Sequence, residues 1–407
     1  MLHASYYRPR IFPYNGDVAD AEIDRAQGID PDITRNIEKV EEIGRDGKVG
    51  DIKKASTITY RLTQLEYGSM EIWRKITNKA DSVETLDLND FKTPAFDICA
   101  YLTDDDGTFT GTIWYPKLRT SGFSLSIGDP DARIERGFDL VGEKARILQG
   151  ANQYLIYHRH ECASGADNDI DLSAKAPAVD PNVADKYMFR VLRVKDDTTT
   201  ELVETTDWTY TDGTKILNII SVTTGDVIKV YYTSATAPDT IFTENDSDPA
   251  GLLADSVSVY LYIPATGKPS SADYLYRIQS ATLDVSLDRE DVKEVGNKEV
   301  VKRGVRDKTV TVTLGRILEK FTVEEVLAGK AADWGIIDVD DLSDQVTLIV
   351  KVYEDNTKAT FKYGFKATGL SPTGLRGGAA VNEYVKPEAT LEGEDLTITT
   401  SEGELGV

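Results

Sequence analysis

The chain is poor in the residues that most often form cross-links or carry chemistry. Its 407 residues include only two cysteines, Cys99 and Cys162, and three histidines, His3, His158 and His160. Two cysteines are too few for a disulfide-stabilised scaffold, and whether these two pair is left open. Three histidines leave no Ser–His or Cys–His pair that recurs along the chain. These shortages argue against an enzyme built on a duplicated site.

Long apolar stretches are also missing. No apolar run approaches the roughly 20 residues that a membrane-spanning helix needs. The segment from Met1 to Pro13 contains Arg8 and Arg10 but no apolar core, so we expect no secretory signal peptide there. The sequence therefore predicts no membrane partner.

Positive charge is scarce relative to negative charge. The chain has 46 Lys and Arg against 69 Asp and Glu, which gives a formal net charge of −23. Proteins that read nucleic acid gather Lys and Arg on one surface, so this balance argues against such a reader. It is compatible with a surface past which nucleic acid slides without adhering. An acidic surface that only keeps the protein soluble is the plainer interpretation, and a halophilic host is a third.

What the chain does have is a long internal repeat. Residues 25–65 reappear without a gap at residues 277–317, at a shift of 277 − 25 = 252 positions. A period of this length indicates a duplicated domain and not a solenoid, whose units are roughly 20 to 50 residues long. The 11 identical pairs are Arg25/Arg277, Gln27/Gln279, Asp32/Asp284, Glu38/Glu290, Val40/Val292, Glu42/Glu294, Gly44/Gly296, Val49/Val301, Thr57/Thr309, Thr59/Thr311 and Leu62/Leu314.

Both copies show the same series of predicted elements. Alternating apolar and polar residues predict a strand, a charged segment follows, and a second alternating strand comes next. A helix is then expected over Ser69–Lys79 in the first copy and over Thr322–Gly329 in the second. Each copy ends with further strands, which include one hairpin over residues 96–118 and another over residues 346–367.

The segment between the copies has no counterpart. Residues 165–185 are rich in Ala, Asp, Pro and Ser and are typical of a linker. The spacing of the four strands predicted next is typical of a small immunoglobulin-like β-sandwich. Those strands are Tyr187–Lys195, Leu202–Tyr210, Lys215–Val222 and Val227–Thr233. The predicted domains are therefore residues 1–164, 165–256 and 257–407.

Motifs for metals and cofactors are weak. His158-Arg-His160-Glu-Cys162 would place three ligand-type side chains on one strand face, but a fourth ligand is missing and the other copy has no such set. The run from Asp167 to Asp171 resembles the start of a calcium loop but lacks the required Gly and Glu further on. Residues 374–378 contain glycines without the spacing of a phosphate-binding loop. We therefore expect no metal, no cofactor and no catalytic residues.

The second copy, especially Tyr276–Gly296 and Lys308–Leu314, resembles the tail tube (major tail) proteins of tailed viruses. The resemblance implies a mainly β fold with two tail-tube-type β-sandwich or barrel domains, each with a flanking helix, and a small Ig-like β-sandwich inserted between them. It also implies a virion protein that forms homotrimeric, pseudo-hexameric rings stacked into a tube. The implied partners are other copies of the chain, a tape-measure protein, a tail terminator and baseplate or tip proteins, with a sheath left open and genomic DNA passing without specific binding.

Two sets of charged residues are candidates for roles in such a tube. The loops after Gly44 and Gly296 are too charged for a core, and we expect them to contact the next ring or subunit. Acidic residues of the repeat are expected to line the lumen, where they would repel DNA phosphate. The contact candidates are Arg45, Asp46, Lys48, Asp51, Lys53, Lys54, Asn297, Lys298, Glu299, Lys302, Arg303 and Arg306; the lumen candidates are Glu38, Glu42, Glu290 and Glu294.

Two further functions compete with a viral tail tube. One is the inner tube of a contractile injection or secretion system, which would share the fold but serve a cell. The other is a β-rich surface adhesin or carbohydrate-binding protein, in which the middle domain would be the working part. Genome neighbours would separate the first alternative from the viral protein, and glycan binding would favour the second.

Overall fold

The computed structural model of the chain is a mainly β structure, as the sequence predicts, and its helices are short. It describes residues 7–14, 18–35, 37–41, 48–53, 56–104, 108–129, 131–149, 153–180, 187–195, 198–238, 251–264, 278–292, 302–316, 322–329, 336, 340, 342–343, 345–376 and 387–406. Within these residues, no helix has the length and apolar character that crossing a bilayer requires.

The first repeat contains strands β1 to β11 and helix α1 in the described residues. The helix is shorter than the predicted Ser69–Lys79, but its apolar stripe of Met70, Trp73 and Ile76 is buried, as predicted. A 3₁₀ turn covers Leu88–Phe91. The elements are β1 (Tyr7–Pro13), β2 (Ala21–Glu22), β3 (Ala26–Thr34), β4 (Ile37–Glu41), β5 (Lys48–Lys53), β6 (Thr57–Leu65), α1 (Glu71–Ile76), β7 (Thr85–Asp87), β8 (Phe96–Thr103), β9 (Phe109–Ile127), β10 (Glu135–Gly142) and β11 (Arg146–Gln149).

The middle region folds into two small sheets. Predicted strand Leu202–Tyr210 is wrong as one element, because a turn over residues 203–207 divides it into two strands. Short 3₁₀ turns cover Ser173–Lys175 and Ala254–Ser256. The strands are β12 (Tyr154–Glu161), β13 (Asp169–Asp171), β14 (Phe189–Lys195), β15 (Thr198–Leu202), β16 (Trp208–Thr211), β17 (Ile216–Ile219) and β18 (Val227–Ser234).

The two small sheets enclose a core of their own. One sheet has the strand order β12-β18-β14-β15 and the other has the order β13-β17-β16. Trp208, Leu217 and Ile228 are among the buried residues between them. Strand β12 pairs along its length with β18, so residues 154–161, which the predicted boundary at residue 164 assigned to the first repeat, belong by pairing to the middle region.

The second repeat has its main strands and its first helix in the same order as the first repeat. Its hairpin of β22 and β23 confirms the hairpin predicted over residues 346–367, and β8 with β9 confirms the one over residues 96–118. Strands β9 and β23 both extend well beyond the predicted ends. The elements are β19 (Val257–Tyr262), β20 (Ile278–Val292), β21 (Lys302–Arg316), α2 (Thr322–Leu327), β22 (Val346–Tyr353), β23 (Phe361–Arg376), β24 (Glu388–Gly393), β25 (Asp395–Thr399) and α3 (Glu402–Leu405).

The two repeats agree down to the irregularities of their strands. Strand β3 pairs with β6 through a bulge at Gln27, and β20 pairs with β21 through a bulge at Gln279, 252 positions later. Ile33 lies opposite Ile58 in the first pair, and Val285 lies opposite Val310 in the second, again at the same shift. The repeat seen in the sequence is therefore a repeat of strand register.

The repeats differ in one hairpin. In the second repeat, β20 and β21 form one continuous pair over 15 residues each. In the first repeat, the same length of chain is divided into the pair β3–β6 and a separate two-stranded sheet of β4 and β5. The described residues thus show the outer half of this hairpin detached in one copy only.

A single large sheet joins the two repeats. Its 16 strands in the described residues include the path β19-β22-β23-β24-β21-β20-β9-β10-β6-β3. The junction is the antiparallel pair of β20 with the second half of β9, which places Val285 opposite Phe123. One core also spans both repeats, and Trp73 of the first repeat contacts Phe123, Phe138 and, from the second repeat, Phe365. The repeats are therefore one packed unit.

The middle region is docked on the first repeat by a buried ion pair. The Arg190 guanidinium donates two hydrogen bonds to Asp97, at 3.0 and 2.8 Å, and both side chains are buried. Asp97 also accepts hydrogen bonds from Trp114 Nε1 at 2.9 Å and from the Lys117 backbone N–H at 2.9 Å. The Lys229 ammonium donates to the Pro13 carbonyl at 2.7 Å beside them. Charge-assisted bonds of this number fix the orientation of the middle region.

Candidate functional site: the polar face of the central sheet

The central sheet has one packed face and one polar face because its side chains alternate. On β21, Val310 and Val312 are buried while Thr309 and Thr311 are partly exposed on the opposite side. The same alternation runs through the neighbouring strands of both repeats. We use the name polar face for the side chains that line the resulting groove, which include Thr59, Arg61, Ser124, Asp139, Asp284, Ser286, Thr309 and Thr311.

The polar face consists of short side chains and is acidic. Ser, Thr and Asp predominate in the groove, and its strands come from both repeats. Pairing registers continue the same face outward to β3 and β24 at either side. On the described strands around this face, exposed acidic side chains outnumber the exposed basic ones, Arg61, Arg306 and Arg376; the acidic ones include Asp30, Asp32, Glu135, Asp139, Asp284, Asp288, Glu388 and Glu392.

The carboxylates in the groove influence one another. The pKa of Asp284 is raised, first because the sheet partly desolvates it and second because the negative charge of Asp139 lies nearby. Arg61 opposes this effect and lies 3.8 Å from Asp139, with both side chains more than half exposed. The groove therefore concentrates negative charge around Asp139 and Asp284 that Arg61 does not fully compensate.

Of the predicted lumen residues, only Glu290 is described with its side chain, and it does not line this groove. Glu290 is exposed near the far end of β20, opposite Gly304. Glu38 lies on β4, where only the backbone is described, and Glu42 and Glu294 lie outside the described residues. Their lumen role stays a prediction. The groove residues were missed because the Thr–Val alternation predicts a solvent-exposed face but does not show which strands lie side by side in it.

The predicted contact residues that are described with their side chains lie on β21 near the end of the hairpin where β20 and β21 are connected. Arg303 is buried and forms an ion pair with Asp291, with Nη2 2.9 Å from Oδ2, and its guanidinium lies 3.8 Å from Glu143. Arg306 is largely exposed and lies 2.6 Å from Asp288. Arg303 thus stabilises its own hairpin, and of these two side chains Arg306 is the one that a neighbouring molecule could reach.

The remaining contact candidates carry no side-chain description. Lys48, Asp51 and Lys53 lie on β5, and Lys302 begins β21, so the structure gives their backbone position only. Their contacts with another ring or subunit stay a prediction. Outside the described residues are Arg45, Asp46, Lys54, Asn297, Lys298 and Glu299.

The weak metal motifs fold into ordinary structural contacts. His160 on β12 lies 3.1 Å from Asp167, whose other oxygen accepts the backbone N–H of Ala163 at 2.8 Å. Asp171 accepts the Ser173 backbone N–H at 2.8 Å. In the described residues, no group of three or more His, Cys, Asp or Glu side chains is arranged to hold a metal ion. Cys99 and Cys162 are both buried free thiols.

The fold is that of a duplicated, mainly β protein. One sheet with an acidic polar face runs through both copies. No protein-family model matches the chain, and no curated protein shows significant similarity to it.

Proposed function

We propose that the chain is a structural virion protein, the tail tube subunit of a tailed virus. Three subunits would close into a pseudo-hexameric ring, and rings would stack into a tube through which the viral genome passes to the host. In this proposal each repeat is a tail-tube-type β-sandwich with its flanking helix, and the middle region is an Ig-like domain on the outside. The chain would not be an enzyme, and its location would be the viral tail.

The observation that carries this proposal is the strand pairing between the repeats. Strand β20 of the second repeat continues the sheet of the first repeat through β9. A domain that joins its own copy edge to edge can join further copies in the same way, and equal steps of this kind close into a ring when their rotation allows it. A closed ring leaves no sheet edge exposed, which removes the aggregation hazard of open edges.

The polar face supports the role of a conduit. In the described part of the groove, short Ser and Thr side chains predominate and the carboxylates of Asp139, Asp284 and Asp288 outnumber the arginines, so little net positive charge is available for phosphate to bind. Facing the bore, such a surface would repel the phosphate backbone and let DNA pass. The buried Asp97–Arg190 docking of the middle region supports a rigid exterior domain and not a flexibly tethered one.

Electron microscopy of the purified full-length chain tests the proposal. At high protein concentration we expect hollow tubes of stacked rings, with the threefold repeat of the middle region on the outside. Polydisperse aggregates, or a monomer that stays monomeric at every concentration and ionic strength, would count against it. The tube of a cellular injection system would look alike, so the genes that neighbour this one decide between virus and cell.

A further inference from the structure

The junction between the two repeats is a template for contact with another molecule. There, β20 pairs antiparallel with the second half of β9, with Val285 opposite Phe123 and Ser286 opposite Gly122. A shift of 252 positions relates β3 to β20, because the bulges at Gln27 and Gln279 correspond. The same shift relates β9 to β23, because Ser121 and Thr373 are the bulged residues where these strands pair with β10 and β24. The counterpart of β20 is β3, and the counterpart of β9 is β23.

Both counterparts have an open edge at this place. Strand β3 pairs with β6 on one side, and no described strand pairs with its other side. The second half of β23, from Ser371 to Arg376, pairs with β24. On the opposite side, Gly374, Leu375 and Arg376 pair with no described strand. Unpaired edges of this length are templates for pairing with another chain.

Two of the exposed apolar residues in the described part of the chain lie on these two edges. Val285 and Phe123 are 4% and 2% exposed at the internal junction. Their counterparts at the shift of 252 positions are Ile33 and Leu375, which are 48% and 42% exposed. We propose that β3 of one subunit pairs antiparallel with the second half of β23 of another copy, in the register that sets Ile33 opposite Leu375.

A pair of glycines supports this register. A Cβ atom added to Gly122 would lie 2.6 Å from the backbone carbonyl oxygen of Val285, so the internal junction requires glycine there. Its counterpart Gly374 is also glycine, yet within the subunit an added Cβ would meet nothing closer than Thr390 at 3.8 Å. Close approach of the carbonyl of Ile33 from a second copy supplies the missing reason for a glycine at this position.

Charge supports the same partner. The register sets Asp32 opposite Arg376, as it sets Asp284 opposite Ser124 at the internal junction. Directly opposed residues of unlike charge stabilise an antiparallel pair. Both residues are exposed on the polar face. A second copy of this chain therefore matches the edge in three ways: its backbone can pair, its apolar side chain lies opposite an apolar one, and its charge is opposite.

The interface uses two different edges, so association is head to tail. A head-to-tail contact closes into a ring or continues as an open filament, according to its rotation. Closure with three subunits rests on the proposed function, whereas the register of the contact does not. An experiment can therefore test the register of the contact separately from the closure of three subunits into a ring.

Disulfide trapping tests the register. We would prepare the full chain with Ile33→Cys and Leu375→Cys together and oxidise it after assembly. Because directly opposed residues of an antiparallel pair have Cβ atoms about 4.5–5.5 Å apart, we expect covalent dimers and trimers, with the trimer as the largest species. The two native cysteines are buried and should not contribute. The control pairs Leu375→Cys with Ile147→Cys, an exposed residue on β11, and should stay uncross-linked.

A glycine substitution gives an independent test. Gly374→Ala should leave the unfolding temperature of the isolated subunit unchanged but weaken assembly by about tenfold or more, since overpacking of a close contact is costly. Gly213→Ala, in the middle region where an added Cβ meets nothing, should affect neither property. Normal assembly of Gly374→Ala, or tubes that form without the Ile33–Leu375 cross-link, would overturn the register and leave the proposed function standing. Cross-linked rings that never stack would retain the register and overturn the tube.

Discussion

Lys117 and Gly369 lie 252 positions apart and share an unusual backbone conformation, with φ values of 61° and 65°. Each occurs within the longest strand of its repeat, β9 or β23, shortly before a bulge. At this point the strand leaves one set of partners and joins another: β9 passes from β8 to β10, and β23 passes from β22 to β24. The left-handed residue is therefore the hinge that lets one strand serve both parts of its repeat.

Gly369→Val should destabilise the second repeat because a β-branched residue is strained at positive φ. We expect a loss of about 1–2 kcal/mol in the free energy of unfolding, measured by denaturant titration of the dissociated subunit. Thr368→Val, one residue earlier on the same strand, is the control and should change stability little. If the two variants are equally stable, the left-handed conformation at residue 369 does not matter for the fold.

A buried network joins the two repeats at another place. The Arg136 guanidinium lies 3.2 Å from Glu66, and both side chains are fully buried. The Tyr363 hydroxyl of the second repeat donates a hydrogen bond to the same carboxylate, while the backbone N–H groups of Tyr67 and Gly68 donate to its other oxygen. The carboxylate thus holds residues of both repeats in one orientation.

Removal of one member of this network should strongly reduce the stability of the folded chain. Glu66→Ala leaves the Arg136 charge buried and uncompensated, and we expect a loss of about 3–5 kcal/mol in unfolding free energy. The double variant Glu66→Leu with Arg136→Met should lose less than Glu66→Ala does, since no unpaired charge remains. Urea titrations of the three proteins measure both values. A double variant that is less stable than Glu66→Ala would show that the pair acts through something other than mutual compensation.

The raised pKa of Asp284 predicts a pH dependence. A carboxyl group with a raised pKa in the folded state binds its proton more tightly there than in the unfolded chain. Its favourable contribution is present below its ordinary pKa of 3.8 and is lost as the pH rises through the folded value. Asp284→Asn removes the charge, so its unfolding temperature relative to the wild-type chain should rise between acidic and neutral pH.

The control for this prediction is Asp171→Asn on β13. Hydrogen bonds from the Ser173 hydroxyl and backbone N–H lower the pKa of Asp171, so its carboxylate contributes stability that appears as the pH rises. The relative unfolding temperature of this variant should therefore fall over the same pH range. Parallel pH profiles for the two variants would contradict the assignment of opposite pKa shifts.

The sequence predicts those parts of the fold that depend on neighbouring residues in the chain, and it misses those that depend on contacts between distant segments. The repeat, the helices and the two hairpins follow from identity and alternation, which are local signals. The continuation of β9 beyond residue 118 was missed, because Ser121 and Gly122 weaken the strand pattern. Gly122 is there because the Val285 carbonyl approaches it from the other repeat, and no local pattern contains that fact.

The sequence predicts that a polar sheet face exists but not which residues form it. Alternation of Thr and Val on Val310–Leu314 correctly predicts one wet face and one packed face. Which residues form the groove depends on pairing between repeats, so Asp139 and Asp284 could not be chosen in advance. The Glu66–Arg136 network could not be predicted either, because it has no counterpart in the second repeat, where Leu318 and Pro387 stand at the corresponding positions.

The proposed subunit contact places Asp32 opposite Arg376, so charge reversal at either residue should weaken assembly. Asp32→Arg would set two like charges opposite each other, and Arg376→Asp would do the same with the opposite sign, so each should weaken assembly a few-fold, about 0.2–1 kcal/mol per contact. Arg376→Asp should also lower the stability of the isolated subunit, because Arg376 lies opposite Glu388 of its own chain. Sedimentation across a range of protein concentrations measures the effect of each variant on assembly.

The double variant, Asp32→Arg with Arg376→Asp, distinguishes a direct contact from a general charge effect. If the two residues face each other across the subunit boundary, the double variant should assemble better than Arg376→Asp alone, since an attractive pair is restored. Lys195→Asp, an exposed side chain on β14, makes the same change in net charge as Arg376→Asp and should leave assembly unaltered. Losses that simply add in the double variant would mean that Asp32 and Arg376 do not meet, and the register that pairs Ile33 with Leu375 would then be wrong as well.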